Sequence, residues 1–349
     1  MGKSVCFGAG LVALDVIVNG SPDSPAFLSA GGSCGNVLTS LAYLGWDVAP
    51  VARLKNNKAS KELIKDLAAW DVDQQFISKE SDGSTPIIIH RVYKDKAGNP
   101  KHRFEFRDPD LGSWLPQYKP VLASYIENIE LSPKKPNIFY FDRASRGTID
   151  LAKKCKDNGA LVFFEPTSLG EPRLFKEALA TSDILKFSSD RIDDYDKLFP
   201  TQQCALEIRT LASDGLEYRF SHSKRSIKWE ALKPFSVLPA LVKDTAGAGD
   251  WCSAGIINVL GHSGFNSFKK LKKDEIVTAL NTGQAYSALS ICFNGARGIM
   301  YELDSKKFLT AVKQIMISKL SEVEKILSAK FKSQLKPHVG LKVSSLYSI

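Results

Sequence analysis

The alternation of short apolar runs with helical segments in the second half of the chain constrains the fold most strongly. The runs are NIFYF (137–141), LVFFE (161–165), DILKF (183–187) and ALEIRTL (205–211), and helical patterns separate them. Because parallel strands are joined by crossover helices, this alternation predicts a largely parallel sheet with helices on both faces. Ligands of such sheets bind at the carboxyl ends of the strands.

The amino-terminal part of the chain adds strands and one clear helix. SVCFGA (4–9) is typical of a buried first strand, and the alternating LDVIV (14–18) predicts a half-exposed second strand. Asn36 is expected to cap a helix that ends at Gly45, and a strand over 48–54 should follow.

A hairpin interrupts the α/β alternation. Two alternating runs, 87–93 and 102–106, flank the polar and glycine-containing segment 95–99, which predicts a turn. The remaining long helical patterns lie at 244–262, 273–293 and 304–332.

Composition excludes disordered, collagen-like and coiled-coil proteins. The chain has 349 residues, of which 44% are apolar and 24% charged, and no apolar run approaches the roughly 20 residues of a membrane span. The net charge of +9 is concentrated beyond residue 301, where nine lysines and four acidic residues interleave with an apolar stripe. This pattern favours a solvated helix face over nucleic-acid binding.

Six scattered cysteines without a C-x-x-C pair indicate reduced thiols, so we expect a cytoplasmic protein with no membrane partner.

One glycine pattern near the amino terminus gives only weak evidence of a nucleotide site. Residues 8–13 satisfy G-x-G-x-x-A, but the segment that follows has a strand pattern, whereas a dinucleotide site needs a helix there. G-x-x-x-x-G-K-[ST] and H-E-x-x-H are absent from the sequence, whereas G-x-S-x-G occurs at 31–35. The P-loop and zincin classes therefore lose their main support.

The segment D-T-A-G-A-G-D (244–250) carries the clearest chemical signal. Its small residues at 246–249 allow a close approach of the backbone to a ligand, and the first amides of the following helix are unpaired donors at its positive end. This arrangement predicts an anion-binding loop. Asp250 places a carboxylate in the first turn, where it can take a proton from an attacking hydroxyl, or simply cap the helix. Anion donors beside a base suggest phosphoryl transfer.

Three elements together resemble the ribokinase (PfkB) family of sugar and nucleoside kinases. D-T-A-G-A-G-D with Gly255 is similar to the carboxyl-terminal signature of that family. GGSCGN (31–36) fits the second signature, G-G-x-x-x-N, and Asp15 lies five residues after Gly10, where the family has a substrate-binding aspartate.

The resemblance implies a ribokinase-like three-layer α/β sandwich over residues 1–335, with a mostly parallel central sheet. A small β-sheet lid would be formed by about 11–34 and 86–108, and a tail would follow at 336–349. The lid would close over the sugar and exclude water, which competes as phosphoryl acceptor. A homodimer through the lid is a further expectation.

The resemblance also implies roles for individual residues. Asp250 would be the base, and the amides of Gly247, Ala248 and Gly249 would hold the transferring phosphoryl group. Asp15, Asn36, Gly31 and Gly32 would hold sugar hydroxyls. Residues implied to contact ATP are Ser188, Thr210, Gly215, Ala246, Gly247, Gly249, Gly295 and Ala296.

The stretch His102–Pro109 resembles the R-E-F-x-F-x-R-x-P of fructokinases, although Arg107 comes one place early. This likeness adds Arg103 and Arg107 as sugar contacts and makes fructose, or another ketohexose, the first substrate guess. Exposed lid charge is the alternative explanation of both arginines.

ATP and Mg²⁺ are the implied cofactors, but the metal motif is altered. Where the family has N-x-x-E, this chain has Ser188-Ser189-Asp190-Arg191, so Asp190 is expected to hold the water shell of Mg²⁺, with Asp193 and Asp194 as alternatives. Asp244 resembles a carboxylate near a monovalent-cation site such as K⁺, or it caps the turn.

Two other functions stay open. A nucleoside kinase would need an apolar or aromatic wall, for which Trp114 and Phe106 are available. A sugar-binding protein that has lost catalysis would explain the altered metal motif. Many fructokinases have D-P-N where this chain has Glu165-Pro166-Thr167, so the identity of the sugar is not determined.

Overall fold

A computed structural model describes residues 2–21, 24–96, 98, 100–131, 134–223, 228–328 and 335–348. The strands are β1 Val5–Ala9, β2 Ala13–Asn19, β3 Ala26–Gly31, β4 Asp47–Leu54, β5 Ile77–Lys79, β6 Ile87–Lys94, β7 Pro100–Glu105, β8 Ile138–Phe141, β9 Leu161–Phe164, β10 Ile184–Ser188, β11 Leu206–Thr210, β12 Leu216–Phe220, β13 Glu230–Leu232 and β14 Pro337–His338. The helices are α1 Ser33–Tyr43, α2 Lys58–Ala69, α3 Ala123–Glu127, α4 Arg146–Asp157, α5 Pro172–Thr181, α6 Tyr195–Leu198, α7 Ala248–Leu260, α8 Gly264–Phe268, α9 Lys273–Ser290, α10 Gly298–Glu302, α11 Ser305–Met316, α12 Leu320–Ser328 and α13 Ser344–Tyr347.

The large sheet has nine strands in the order β13-β12-β11-β10-β9-β8-β1-β4-β5. Neighbouring strands in the stretch from β11 to β5 are parallel, whereas the pairs β11–β12 and β12–β13 are antiparallel. The four apolar runs of the second half form β8, β9, β10 and β11, as the alternation predicts. Their carboxyl ends therefore meet at one edge of the sheet.

Apolar layers cover both faces of this sheet. On one face Phe163 belongs to the same buried cluster as Leu38 of α1 and Ile256 of α7. On the other face Phe164 shares a second cluster with Ile149 of α4. Alternate side chains of one strand thus point into different layers, and the predicted three-layer sandwich is confirmed.

A second, five-stranded sheet, here called the lid, has the order β14-β3-β2-β6-β7. Four of its strands lie within the segments predicted to form it, and β14 comes from the predicted tail and pairs with β3. The predicted hairpin is confirmed as β6 and β7, although residues 97 and 99 of its turn lie outside the described residues. The exact limits of the domain and tail stay a prediction.

Three local expectations were wrong. Strand β2 is buried rather than half-exposed, because Val16 on one face belongs to the same apolar cluster as Leu38 of α1, and Ile17 on the other face lies against Gly295. Helix α1 begins at Ser33 after Gly32, so Asn36 lies inside the helix and does not cap it. The expected single helix over 304–332 is two helices, α11 and α12, separated at Ser318, whose φ of 57° breaks the helix; its last residues lie outside the described part.

Within the residues described, no helix has the length and apolar character needed to cross a bilayer.

Candidate active site

The start of α7 has the geometry of an anion-binding loop. Gly247 precedes the helix in the left-handed region, with φ of 75°. A Cβ built on Gly247 would lie 2.6 Å from the Ala296 Cα, so only glycine fits this close approach. Trp251 Nε1 donates to the Ala296 carbonyl at 2.9 Å. The predicted loop and the predicted Gly295-Ala296 segment are therefore in direct contact, with the first amides of α7 beside them.

Asp250 lies in the first turn of α7 and is partly buried. Asn36 Nδ2 donates to Asp250 Oδ2 at 2.7 Å, which joins α1 to α7. Burial, with a smaller contribution from the nearby Glu165, raises the pKa of Asp250 to about 7, against the opposing effects of Asn36 and Lys186. A carboxylate with such a pKa can accept a proton near neutral pH.

A buried ion pair lies directly behind this loop. Lys186, in the middle of β10, pairs with Glu165 at the end of β9, and its Nζ also donates to the Gly249 carbonyl at 3.1 Å. Glu165 accepts further hydrogen bonds from Tyr140, at 2.9 Å, and from Ser253. Sequence reasoning missed this pair, although a lysine in the otherwise apolar ILKF (184–187) was a usable signal, since a buried lysine requires a partner.

Asp15 and the residues at the start of α1 form the second part of the site. A Cβ on Gly31 would lie 2.1 Å from Asp15 Oδ2, so glycine leaves the space that this carboxylate occupies. Burial raises the pKa of Asp15 to about 6, although His90 and Arg297 oppose the shift. Gly32 has φ of 77° and immediately precedes α1. The Asn36 Oδ1 atom is buried without a hydrogen-bond partner in the described residues.

A cavity of about 190 Å³ lies between the lid and the large sheet. Its lining includes Leu11, between β1 and β2, and Arg143, which follows β8. Ile88 of β6 and Phe106, directly after β7, line it from the lid side. Arg143 also pairs with the buried Asp142 at 3.2 Å. The cavity has the mixed apolar and basic lining of a small-molecule site, although Trp114 is not among its lining residues.

The structure does not bring the two lid arginines to Asp15. The strand register places Asp15, Ile17 and His90 on one face of the lid, and Arg103 is on the opposite face, where it pairs with Glu105. Arg107 stacks on Trp114, 4.4 Å from the ring centre, and donates to the Gly112 carbonyl. Both side chains thus have local partners outside the site.

The implied nucleotide-contacting residues lie at the same edge of the large sheet as the anion-binding loop. Ser188 ends β10 and is the register partner of Thr210, which ends β11. Gly215 follows in the turn to β12, with φ of 98°, and a Cβ there would lie 2.4 Å from the Leu232 carbonyl oxygen. Asp190 is exposed in the turn after β10.

The surroundings of Asp244 do not fit a monovalent cation. Its Oδ1 accepts from the Ala246 amide at 3.0 Å and its Oδ2 from the Gly295 amide at 2.8 Å. His102 Nδ1 lies 3.0 Å from Oδ1, and His90 Nε2 lies 3.2 Å from Oδ2. Burial acts to raise the pKa of Asp244, but the His102 and His90 imidazoles hold it well below its usual range. K⁺ prefers oxygen ligands, whereas these contacts are nitrogens.

Comparison with known proteins identifies the fold. No protein-family model matches the chain, and no curated protein does. Aminoimidazole riboside kinase from Salmonella enterica, solved with aminoimidazole riboside and an ATP analog, superposes with a TM-score of 0.66 at 18% identity, over 88% of this chain and 100% of that one. Fructokinase from Xylella fastidiosa with bound ATP gives 0.63 at 18% identity, over 91% and 98%.

A nucleoside kinase from Methanocaldococcus jannaschii, described as an archaeal member of the ribokinase family, gives a TM-score of 0.59 at 15% identity, over 90% and 100% of the two chains. Structural neighbours of this kind, matched over most of both chains, show that this chain has the ribokinase-like fold.

Proposed function

We propose that the protein is an ATP-dependent kinase that transfers the γ-phosphoryl group to a hydroxyl of a small sugar. The observation that carries this proposal is the position of Asp250, a carboxylate with a raised pKa in the first turn of α7, directly after the left-handed Gly247. The proposed base and the proposed anion-binding amides thus belong to the same turn, at the start of α7. The sugar, riboside and nucleoside kinases among the structural neighbours support the same class of reaction.

Each group has a defined task in this reaction. Asp250 accepts the proton of the acceptor hydroxyl as that oxygen attacks the γ-phosphorus and the bond to ADP breaks. The amides of Gly247, Ala248 and Gly249 stabilise the charge that develops on the transferring group. Lys186 neutralises Glu165, which keeps a second negative charge from raising the pKa of Asp250 further.

Asp15 and Asn36 orient the sugar. Asp15 offers two carboxylate oxygens to hydroxyl donors, and the buried Asn36 Oδ1 offers one further acceptor beside Asp250. Closure of the lid over these groups excludes water from the reacting phosphoryl group.

The carboxylate of Asp190, in the turn after β10, offers the oxygen ligands that Mg²⁺ prefers. Asp190 would hold the water shell of the ion, and the phosphates of ATP would supply other oxygens. When bound, Mg²⁺ neutralises charge on the transferring phosphoryl group.

The substrate class has two candidates. A ketohexose is our first proposal, but its support from Arg103 and Arg107 is reduced because both arginines have partners elsewhere. The cavity beside Arg143 favours a riboside as the second candidate, since Phe106 and aliphatic side chains line it and suit the face of a base.

A substrate panel with ATP and Mg²⁺ tests the proposal. We expect ADP formation with at least one ketohexose, pentose or riboside, and no formation above background without an acceptor. Thermal stabilisation by a sugar with no ADP formation would instead identify a binding protein that has lost catalysis. Sedimentation would test the expected pairing of two chains through the lid.

A further inference from the structure

His90, His102 and Asp244 form a compact cluster between the lid and the anion-binding loop. Their ligand atoms all lie within 4.8 Å of one another, and the two imidazoles come from neighbouring strands, β6 and β7. His90 and the Asp244 side chain are almost fully buried, and His102 is 24% exposed. The cluster is therefore mostly buried, but it can be reached from solvent at His102.

The geometry is close to that of a metal site. Zinc–nitrogen bonds of about 2.0 Å in a tetrahedron place ligand atoms about 3.3 Å apart. The two histidine–carboxylate separations here are 3.2 and 3.0 Å. The His90 Nε2 atom is buried, faces Asp244 Oδ2 and makes no well-aligned hydrogen bond among the described residues, so it is available as a metal ligand.

The surroundings hold these side chains in place. The Ala246 and Gly295 amides each donate to one oxygen of Asp244, which fixes the orientation of the carboxylate. The Phe104 ring lies against both imidazoles, with centroids 5.0 and 5.2 Å away. Hydrogen bonds that orient a ligand in this way strengthen metal binding.

We propose that His90, His102 and Asp244 bind a transition-metal dication of the Zn²⁺ class, which joins the lid hairpin to the anion-binding loop. Two imidazoles and one carboxylate are the ligands that Zn²⁺, Co²⁺ and Ni²⁺ prefer, and Mg²⁺ and K⁺ prefer oxygen. A tetrahedral ion has a fourth position, which a water molecule can fill. Metal binding at this site does not require that the chain has kinase activity.

Titration of the metal-free full chain with Zn²⁺ or Co²⁺ at neutral pH tests the site. We expect one ion per chain, and visible Co²⁺ bands of the intensity that tetrahedral coordination gives. His102→Ala should weaken binding roughly 10- to 100-fold or more, since it removes a direct ligand. His222→Ala, which removes an exposed histidine elsewhere, should leave binding unchanged.

Hydrogen exchange gives a second measurement that does not depend on activity. Zn²⁺ should protect the amides of β6 and β7 in the wild type and in His222→Ala, but not in His102→Ala. If His102→Ala unfolds, Asp244→Asn replaces it in both measurements. The proposal is overturned if the wild type takes up no ion, or if all folded variants bind equally, which would show adventitious binding only.

Discussion

At the scale of single residues, the protonation of Asp250 determines when the proposed reaction can proceed. Its pKa is raised to about 7, mainly by burial, and a general base must be deprotonated to act. We therefore expect kcat/KM to fall about tenfold per pH unit below about pH 7 and to level off above it. A rate profile from pH 5 to 9 checks this. A flat profile down to pH 5 would contradict the assignment.

Lys186 should determine the pH at which the rate begins to fall, because it lowers the pKa of Asp250. Lys186→Met leaves Glu165 without its buried cation, so the negative charge raises the pKa of Asp250 and moves the acidic limb to higher pH. Breaking this buried pair should also lower the free energy of unfolding by about 3–5 kcal/mol. Urea denaturation and the rate profile measure the two effects.

Lys153→Met is the matched control for this substitution. Lys153 pairs with Glu177 on the surface, where its side chain is 47% exposed. Its removal should change the free energy of unfolding by about 1 kcal/mol or less and leave the profile in place. Equal effects of the two substitutions would mean that Lys186 has no special relation to Asp250.

At the scale of elements, the turn before α7 depends on a glycine. Gly247→Ala places a Cβ 2.6 Å from Ala296 and forces alanine into the left-handed region. We expect a loss of about 1–2 kcal/mol in stability from strain, together with weaker ATP binding as the loop and Ala296 move apart. Calorimetry and ATP titration measure both.

Gly45→Ala separates backbone strain from the effect on the loop. Gly45 also has positive φ, 94°, but a Cβ there would meet nothing within 4 Å. Gly45→Ala should lose about 1–2 kcal/mol from backbone strain alone, no more than Gly247→Ala, and keep ATP affinity. If both variants bind ATP as the wild type does, the loop does not hold the nucleotide.

The lid should respond to the sugar through Asp15. Asp15→Ala removes two acceptors and should weaken sugar binding by about 1.5–3 kcal/mol, with little change in ATP binding. In the wild type, the sugar identified by the panel should protect β6 and β7 from hydrogen exchange, and Asp15→Ala should abolish this protection. Equal exchange in all samples would identify the hairpin as a fixed element.

At the scale of the whole molecule, local patterns predicted the framework. The apolar runs at 137–141, 161–165 and 183–187 became the central strands because their signal is contained within a few residues. The same holds for the loop at 246–249, whose small residues alone indicate a close backbone approach.

Features that depend on distant contacts could not be predicted in this way. Asn36 looked like a helix cap because capping residues have this local pattern, but its hydrogen bond is to Asp250, 214 positions away. The pairing of Lys186 with Glu165 and of β14 with β3 likewise depends on how the chain folds back. The two histidines at Asp244 are separated from it by more than 140 residues.

The transfer of labelled phosphate from [γ-³²P]ATP to the acceptor, compared between wild type and Asp250→Asn, tests the central claim most directly. The variant should fold, because asparagine can still accept from Asn36 and carries no charge that opposes burial. We predict that it binds ATP normally and transfers phosphate roughly 10²- to 10⁴-fold more slowly. Transfer at more than about a tenth of the wild-type rate, well above the range expected for a general base, would contradict the account.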